Sequence, residues 1–302
     1  MILFVNPAEN VKHGDLEKDT RNGLQQLDDV KYLTIGKVAI EDIGKYTAVV
    51  TIGWKPWRDY VNLYKRTRAV NKPFITISDG YIKRSVDSLP RYSSDYWAVS
   101  LNGLNTYSEA TFSKCPSDRW GALKIELKPW TLTGEKLLVA HQHGDTWLGE
   151  SRLASFNKIM RMASTSGREI LVRMHPNYWE GDWEAFANYE FTVSQARRHK
   201  NPISNDLDNI FCLMTHDSNA ALDAIINGVP AFIASPSSIL QSVCSIAFDP
   251  TNRHTPKREA WLNWIAYQQW TSKEIATGEP FRRLLSEIVV LKHPLESSVT
   301  NA

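Results

Sequence analysis

The chain has 302 residues with a formal net charge of +2 at pH 7, and 42% of its residues are hydrophobic and 23% charged. This length suits two domains of roughly 100–150 residues, and the near-neutral charge argues against a chain-wide attraction to nucleic acid or membrane. Three widely spaced cysteines without a C-x-x-C pair argue against a disulfide framework or a zinc site, and they indicate free thiols in a reducing cytoplasm.

The N-terminal segment MILFVNPAEN contains a short apolar run and no basic region, which predicts a first strand and not a signal peptide. No segment approaches the roughly 20 consecutive apolar residues that cross a bilayer, so we expect no membrane span.

The first part of the chain alternates apolar runs with helical patterns. The predicted strands are 2–6, 31–35, 47–53 and 72–78, and the predicted helices are 16–27 and 57–70. Such spacing predicts a parallel sheet covered on both faces. Residues 100–133 lack periodicity, and we place a linker at their end.

A second alternating series follows the linker. Its predicted strands are 135–142, 168–176, 189–194, 211–214 and 231–235, with a helix over 150–164 and another after residue 217. Three helical segments, 258–270, 272–278 and 280–293, form a tail. The sequence therefore predicts an α/β protein of two facing Rossmann-like, doubly wound domains, 1–133 and 134–257, with a helical tail, 258–302, packing back across them. Ligands of such folds bind beyond the carboxyl ends of the strands.

The stretch CLMTHDSNAALDAIINGVPAF places a polar cluster between a strand and a helix. Thr215, His216, Ser218 and Asn219 offer hydrogen-bonding groups beside a helix predicted to start near Ser218, and helix N-termini attract phosphate. The alternative is an ordinary helix cap at Asp217 or Ser218.

Two further strand ends carry polar side chains. In VRMHP, Arg173 and His175 suit a phosphate or carboxylate, although a strand-end histidine bound by backbone is the alternative. In AHQHGDTW, the predicted turn residues Gln142, His143 and Asp145 surround a glycine. Two histidines on one strand face without a clear third ligand predict no metal site.

Two strand ends of the first half are candidates for binding a second substrate. ITISDGYIKR places Asp79 and Tyr81 around an Asp-Gly turn, where a lone carboxylate suits a general base, although a plain turn is the alternative. TIGWKPWRDY combines aromatic and basic side chains that suit stacking on a sugar or a base, and its alternative is a helix start at Pro56. These side chains are Trp54, Lys55, Trp57 and Arg58.

A strand ending in R-x-H-P, followed about forty residues later by a polar turn and a small-residue helix ending in G-V-P, resembles the donor-binding domain of GT-B glycosyltransferases. The pattern is similar to that of bacterial capsule-polysaccharide (Kdo) transferases and His-Pro-motif sialyltransferases. The resemblance implies a metal-independent transferase that needs no cofactor and uses a nucleotide sugar, UDP- or CMP-linked, as co-substrate. Arg173 and His175 would contact phosphate, Ser218 and the helix start would hold its other oxygens, and the first domain would bind the acceptor.

The turn Ser78-Asp79-Gly80 resembles the acidic-Gly motif of those sialyltransferases, which implies that Asp79 is the general base. Met174 stands where the capsule-type pattern has proline, and Ser78 stands where a second acid is usual, so the donor nucleotide stays open. The tail WLNWIAYQQWTSKEIATGEPF resembles the ending of phage and prophage proteins described as glycosyltransferases, which implies the cytoplasm of a bacterial or phage-infected cell.

Two acceptors are compatible with these patterns. One is a hydroxymethylated pyrimidine in phage DNA, for which the basic runs KRTR (65–68) and ARRHK (196–200) would supply charge. The other is a surface glycan. A nucleotide-sugar epimerase and a non-catalytic nucleotide- or glycan-binding protein remain alternatives of similar build.

Overall fold

The computed structural model of the protein describes residues 1–6, 15–39, 41–53, 58–82, 96–103, 115–142, 151–175, 188–194, 202–235 and 238–292. The chain divides into two compact units, one formed by Met1–Pro116 with Asn263–Ala302 and the other by Ser117–Leu262. Within the described helices, none has the length and apolar character needed to cross a bilayer.

Strands and helices alternate along both units. The strands are β1 Ile2–Asn6, β2 Val30–Thr34, β3 Val49–Ile52, β4 Phe74–Asp79, β5 Trp97–Leu101, β6 Lys136–Ala140, β7 Ile170–Arg173, β8 Thr192–Val193, β9 Ile210–Thr215, β10 Ala231–Ile233 and β11 Gln269–Trp270. The α-helices are α1 Asp15–Gln25, α2 Arg58–Ala69, α3 Asp118–Leu123, α4 Arg152–Ser164, α5 Ala220–Ile226, α6 Glu259–Ala266, α7 Ser272–Ala276 and α8 Glu279–Lys292.

The first sheet has the strand order β11-β5-β4-β3-β1-β2, with β5 antiparallel to both β4 and β11. Successive side chains along its strands point to two buried faces, as predicted. Phe4, Val50 and Ile75 share a core with α1, α7 and α8, whereas Val5 and Phe74 pack with residues of α2 on the other face. The predicted first four strands are confirmed, but β5 and β11 were not predicted.

The second sheet is entirely parallel among the described residues and has the order β10-β9-β6-β7-β8. Its core joins Val139, Val172 and Met214 to Phe156 and Met160 of α4. The residues of the central strands are largely apolar because both faces of the sheet are covered. The predicted strands of this half are confirmed, and α4 coincides with the predicted helix.

The unit boundary lies at Pro116, earlier than the predicted linker end at residue 133. The aperiodic stretch after α3 is fastened to the second unit, because Lys128 N donates to Ile226 O at 3.0 Å. The buried Arg258 guanidinium donates to the carbonyls of Lys128 and Ile225, and it lies 3.9 Å from the ring centroid of Trp130. Hydrogen bonds to backbone thus hold a segment that has no periodicity of its own.

The predicted tail, 258–302, is divided between the two units, and its first residues, up to Leu262, belong to the second. From Asn263 onward it belongs to the first unit, where β11 adds an antiparallel strand beside β5. Gly23 of α1 brings its backbone so close to α7 that a Cβ added there would lie 2.0 Å from the carbonyl oxygen of Ile275. A side chain at residue 23 would separate the two helices.

Candidate functional site

Three neighbouring strands of the second sheet each lead into a histidine at their carboxyl ends. Ala140, the last residue of β6, is paired in register with Arg173 of β7, and His141 follows it directly. His216 follows β9 by one residue, and His175 follows β7 by two. The apolar strands bring these polar groups to one edge because the strands are parallel and end together.

His141 is the most enclosed of the three histidines, with 3% of its surface exposed. Its backbone N–H donates to Arg173 O at 2.9 Å, and its ring lies edge-on to Phe156 of α4, with 5.1 Å between the centroids. Within the described part of the chain, no group of three or more histidine, cysteine or acidic side chains is arranged to hold a metal ion.

His216 is oriented by α4. Its Nδ1 shares a hydrogen bond of 3.0 Å with Oγ of Ser155, and Ser155 is only 2% exposed. This bond restrains the imidazole ring at the edge of the sheet. Sequence reasoning missed Ser155, whose only signal is its place one turn after the start of a predicted helix.

Gln142 and Asp217 lie at the same edge of the sheet and are joined by a hydrogen bond. Gln142 Oε1 accepts a hydrogen bond from Asp217 N at 3.2 Å, and an Asp217 carboxylate oxygen accepts one from the hydroxyl of Ser238. The same hydroxyl accepts from Leu240 N at 3.2 Å. This chain ties the ends of β6 and β9 to the segment after β10, and the sequence offered no signal for Ser238.

Arg173, which the resemblance assigns to a phosphate contact, is paired with a carboxylate. Its guanidinium forms a salt bridge with Asp206, and the two side chains are only 15% and 11% exposed. Ser194 Oγ donates to the other carboxylate oxygen of Asp206 at 2.7 Å. Arg173 is therefore half of an ion pair, whose carboxylate offsets its positive charge.

The polar cluster after β9 is partly used in local structure. Thr215 is fully buried, and its hydroxyl donates to Ala140 O at 3.0 Å, which joins β9 to β6. The helix α5 begins at Ala220, two residues after Ser218, and Ser218 Oγ accepts from Ala220 N at 3.2 Å. Asn219 occupies the N-cap position without a side-chain cap bond. The capping alternative thus has a structural basis in Ser218.

In the first unit, Asp79 is the exposed last residue of β4. Tyr81, predicted to contact an acceptor, is instead 2% exposed, and its hydroxyl shares a 3.0 Å hydrogen bond with the Ser100 hydroxyl. The tyrosine ring thus lies in the interior of the first unit, and this placement does not support an acceptor contact. Five other candidates lie outside the described residues, namely Trp54, Lys55, Trp57, His143 and Asp145. Arg58 is the first residue of α2.

No protein-family model and no curated protein matches the sequence. Among solved structures, the chain is similar to the beta Kdo 2,4 transferase of Thermosulfurimonas dismutans KpsC, with 16% identity over 88% of this chain and 90% of that one and a TM-score of 0.56. The beta Kdo 2,7 transferase of the same KpsC has 11% identity over 97% and 100% of the chains, with a TM-score of 0.48. A UDP-GlcNAc 2-epimerase from Methanocaldococcus jannaschii has 8% identity, coverage of 88% and 98%, and a TM-score of 0.29.

The fold is that of the GT-B glycosyltransferases, built from two Rossmann-like α/β units, which confirms the predicted fold class. Within that class, the likeness that carries the assignment is to the Kdo 2,4 transferase domain of KpsC. The other two TM-scores are below 0.5 and add nothing to it. At 16% identity the likeness shows the fold alone.

Proposed function

We propose that the protein is a glycosyltransferase that moves a sugar from a nucleotide-sugar donor to a hydroxyl acceptor. The observation that carries this proposal is the polar carboxyl edge of the second sheet, where His141, His175 and His216 follow three adjacent strands. Carboxyl ends of parallel strands are where such folds bind nucleotides. The fold shared with a Kdo transferase supports the same reaction class.

The proposed donor site uses the protein's own hydrogen-bond donors to stabilise a nucleotide leaving group. His175 and the restrained imidazole of His216 are the proposed phosphate contacts, and Gln142 and Ser218 are proposed neighbours of the same group. Fixed donors stabilise developing negative charge because they are already oriented before the bond breaks. Arg173 orients this edge through its ion pair with Asp206. The donor is a UDP- or CMP-linked sugar, and no cofactor takes part.

The proposed general base is Asp79, which stands exposed at the carboxyl end of β4 in the first unit. It would accept the proton of the acceptor hydroxyl as that oxygen attacks the anomeric carbon of the donor sugar. A carboxylate at a strand end suits this role because it is reachable from solvent and held by the sheet behind it.

The proposed acceptor is a surface glycan. A DNA acceptor would need basic side chains that are available to phosphates. In the basic run of α2, Arg66 donates to the carbonyls of Val38 and Glu41, and Arg68 donates to Lys72 O and Asn102 Oδ1. These two guanidinium groups therefore serve the first unit's own loops, which favours the glycan over a hydroxymethylated pyrimidine in DNA.

Thermal unfolding against UDP-, CMP-, GDP- and ADP-linked sugars tests the donor site. A donor at 100 times its dissociation constant stabilises the folded state by about 2.7 kcal/mol. We expect one nucleotide family to raise the melting temperature of the wild type but not that of a variant with His175→Ala and His216→Ala. His254→Ala is the matched control. This histidine is exposed, and its neighbour Arg253 binds the carbonyls of Leu132 and Gly134 before β6 begins, whereas the proposed donor site lies beyond the end of that strand.

Turnover separates the remaining alternatives. A glycosyltransferase releases nucleotide in proportion to glycosylated acceptor, whereas an epimerase converts the donor without any acceptor. A non-catalytic binding protein shows the melting shift and no product. Absence of a shift with every nucleotide sugar at millimolar concentration would contradict the proposed donor site.

A further inference from the structure

The turn that carries Asp79 is held by a glutamine from the opposite end of the chain. Gln269 lies in β11, and its side-chain Oε1 accepts hydrogen bonds from the backbone N–H groups of both Tyr81 and Ile82, at 3.0 and 2.8 Å. Gln269 is 1% exposed, and the two donors are also buried. Both bonds are thus made away from water, where an unpaired N–H is costly.

Two other contacts constrain the same turn. Gly80 N donates to Tyr96 O at 3.0 Å, and a Cβ added at Gly80 would lie 2.4 Å from that oxygen. The Tyr81 hydroxyl is bound to Ser100. The three residues after Asp79 are therefore tied to the segment before β5 through Gly80, to β5 through Tyr81, and to the tail through Tyr81 and Ile82.

The tail that presents Gln269 is itself firmly placed. Gln269 pairs with Ala98 and Trp270 with Trp97, which in turn is the register partner of Asp79. Trp270 is 4% exposed and packs in the main core of the unit. A capping box between Thr271 and Glu274 then starts α7, so the strand and the helix that follow Gln269 have fixed ends.

We propose that Gln269 is a positioning residue that sets the direction of the Asp79 carboxylate by holding the backbone of the Gly80–Ile82 turn. The proposal rests on the proposed function of Asp79 as general base. A base must lie within hydrogen-bond reach of the proton it takes, and a displacement of about 1 Å lowers a rate by up to 100-fold. The tail is thereby part of the catalytic apparatus and not only a cover for the sheet.

Gln269→Leu tests this role, because it keeps the size of the side chain and removes the acceptor. Gln269→Glu keeps an acceptor oxygen, and Gln269→Asn shortens the arm by one methylene in case the leucine variant fails to fold. Gln268→Leu is the matched control, since Gln268 is a buried glutamine one position earlier whose backbone carbonyl, not its side chain, accepts from Val99 N.

Two readouts are needed. The first is amide hydrogen exchange, in which we expect Tyr81 and Ile82 to exchange at least tenfold faster in Gln269→Leu, while Phe4 in β1 is unchanged. The second is steady-state kinetics, in which we expect kcat to fall at least tenfold with the donor KM unchanged, and Gln269→Glu to restore most of it. Gln269→Asn should show the same changes to a smaller extent.

Each result decides a separate point. Unchanged exchange at Tyr81 and Ile82 would overturn the proposal, because the two bonds would not hold the turn. Faster exchange with an unchanged kcat would overturn the positioning role and leave the glycosyltransferase function standing. If the wild type transfers no sugar, the proposed function fails, and the exchange measurement alone still decides whether Gln269 anchors the turn.

Discussion

Nδ1 of His216 and Oγ of Ser155 lie 3.0 Å apart and join the end of β9 to the first turns of α4. Because Ser155 is 2% exposed, the serine end of this bond is shielded from solvent, and the bond holds one ring nitrogen in a defined contact. A histidine that must meet a phosphate at a set angle needs such a restraint.

Replacement of that serine should weaken donor binding more than it destabilises the fold. We expect Ser155→Ala to raise the dissociation constant for the donor nucleotide by fivefold to tenfold, which corresponds to about 1–1.4 kcal/mol for a lost hydrogen bond. Isothermal titration calorimetry measures it. Ser164→Ala, at the exposed end of the same helix, is the control and should bind normally. Equal affinities for both variants would show that the Ser155–His216 bond does not serve the donor.

The ion pair between Arg173 and Asp206 should contribute to stability. Both side chains are largely shielded, so Asp206→Ala leaves a guanidinium without its carboxylate, and we expect a loss of about 1–3 kcal/mol in the free energy of unfolding. Urea denaturation measures the loss. Asp208→Ala, two residues away and exposed, should change stability by less than about 0.5 kcal/mol. If the two variants unfold at the same urea concentration, the pair is structurally neutral.

Glu41 makes the stability of the first unit depend on acid pH. Hydrogen bonds from Lys31, Lys45 and Tyr46 lower the pKa of its carboxyl from 4.5 to about 2. Since the folded pKa is below the unfolded one, the stabilisation is complete above pH 4.5 and is lost as the pH falls through about 2.

Unfolding experiments between pH 6 and pH 2 check this dependence. The wild type should be more stable than Glu41→Gln at pH 6, and the two should converge as the pH falls. Glu135→Gln, which replaces an exposed carboxylate of the second unit, is the control. A constant difference between wild type and Glu41→Gln over the whole range would contradict the assignment.

The three cysteines should differ sharply in reactivity. Burial raises the pKa of the Cys212 thiol to about 12 and that of Cys244 well above its ordinary value, so neither forms thiolate near neutral pH. Cys115 is only half-buried, and its sulfur accepts a hydrogen bond from Arg283 at 2.9 Å. We expect iodoacetamide at pH 8 to modify Cys115 alone in the native protein.

Mass spectrometry of the alkylated protein gives the site and extent of modification. In 6 M guanidinium chloride all three thiols should react, which controls for the reagent. Cys115→Ser should leave a native protein that takes up no label. Labelling of Cys212 or Cys244 at the rate of Cys115 would show that the core of the second unit opens readily.

The sequence by itself determined the fold class and the strands from which the site extends. Largely apolar runs identified β1, β3, β4, β6 and β9, because a strand buried on both faces has few polar positions until it ends. For the same reason Asp79, Gln142, His175 and His216 could be singled out as strand-end residues. These inferences needed only neighbours in the chain.

Only the tertiary structure decided which side chains those residues meet. Asp206 lies 33 residues from Arg173, Ser155 lies 61 from His216, and Gln269 lies 188 from Tyr81, so no local pattern relates them. The strands β5 and β11 also pair over a long separation, since Trp97 and Trp270 are 173 residues apart in the chain. The aperiodic segment before residue 134 belongs to the second unit through hydrogen bonds to Ile226 and Arg258. The periodicity of a segment shows which of its side chains face the core. Which residues those side chains contact is set by how the strands and helices assemble.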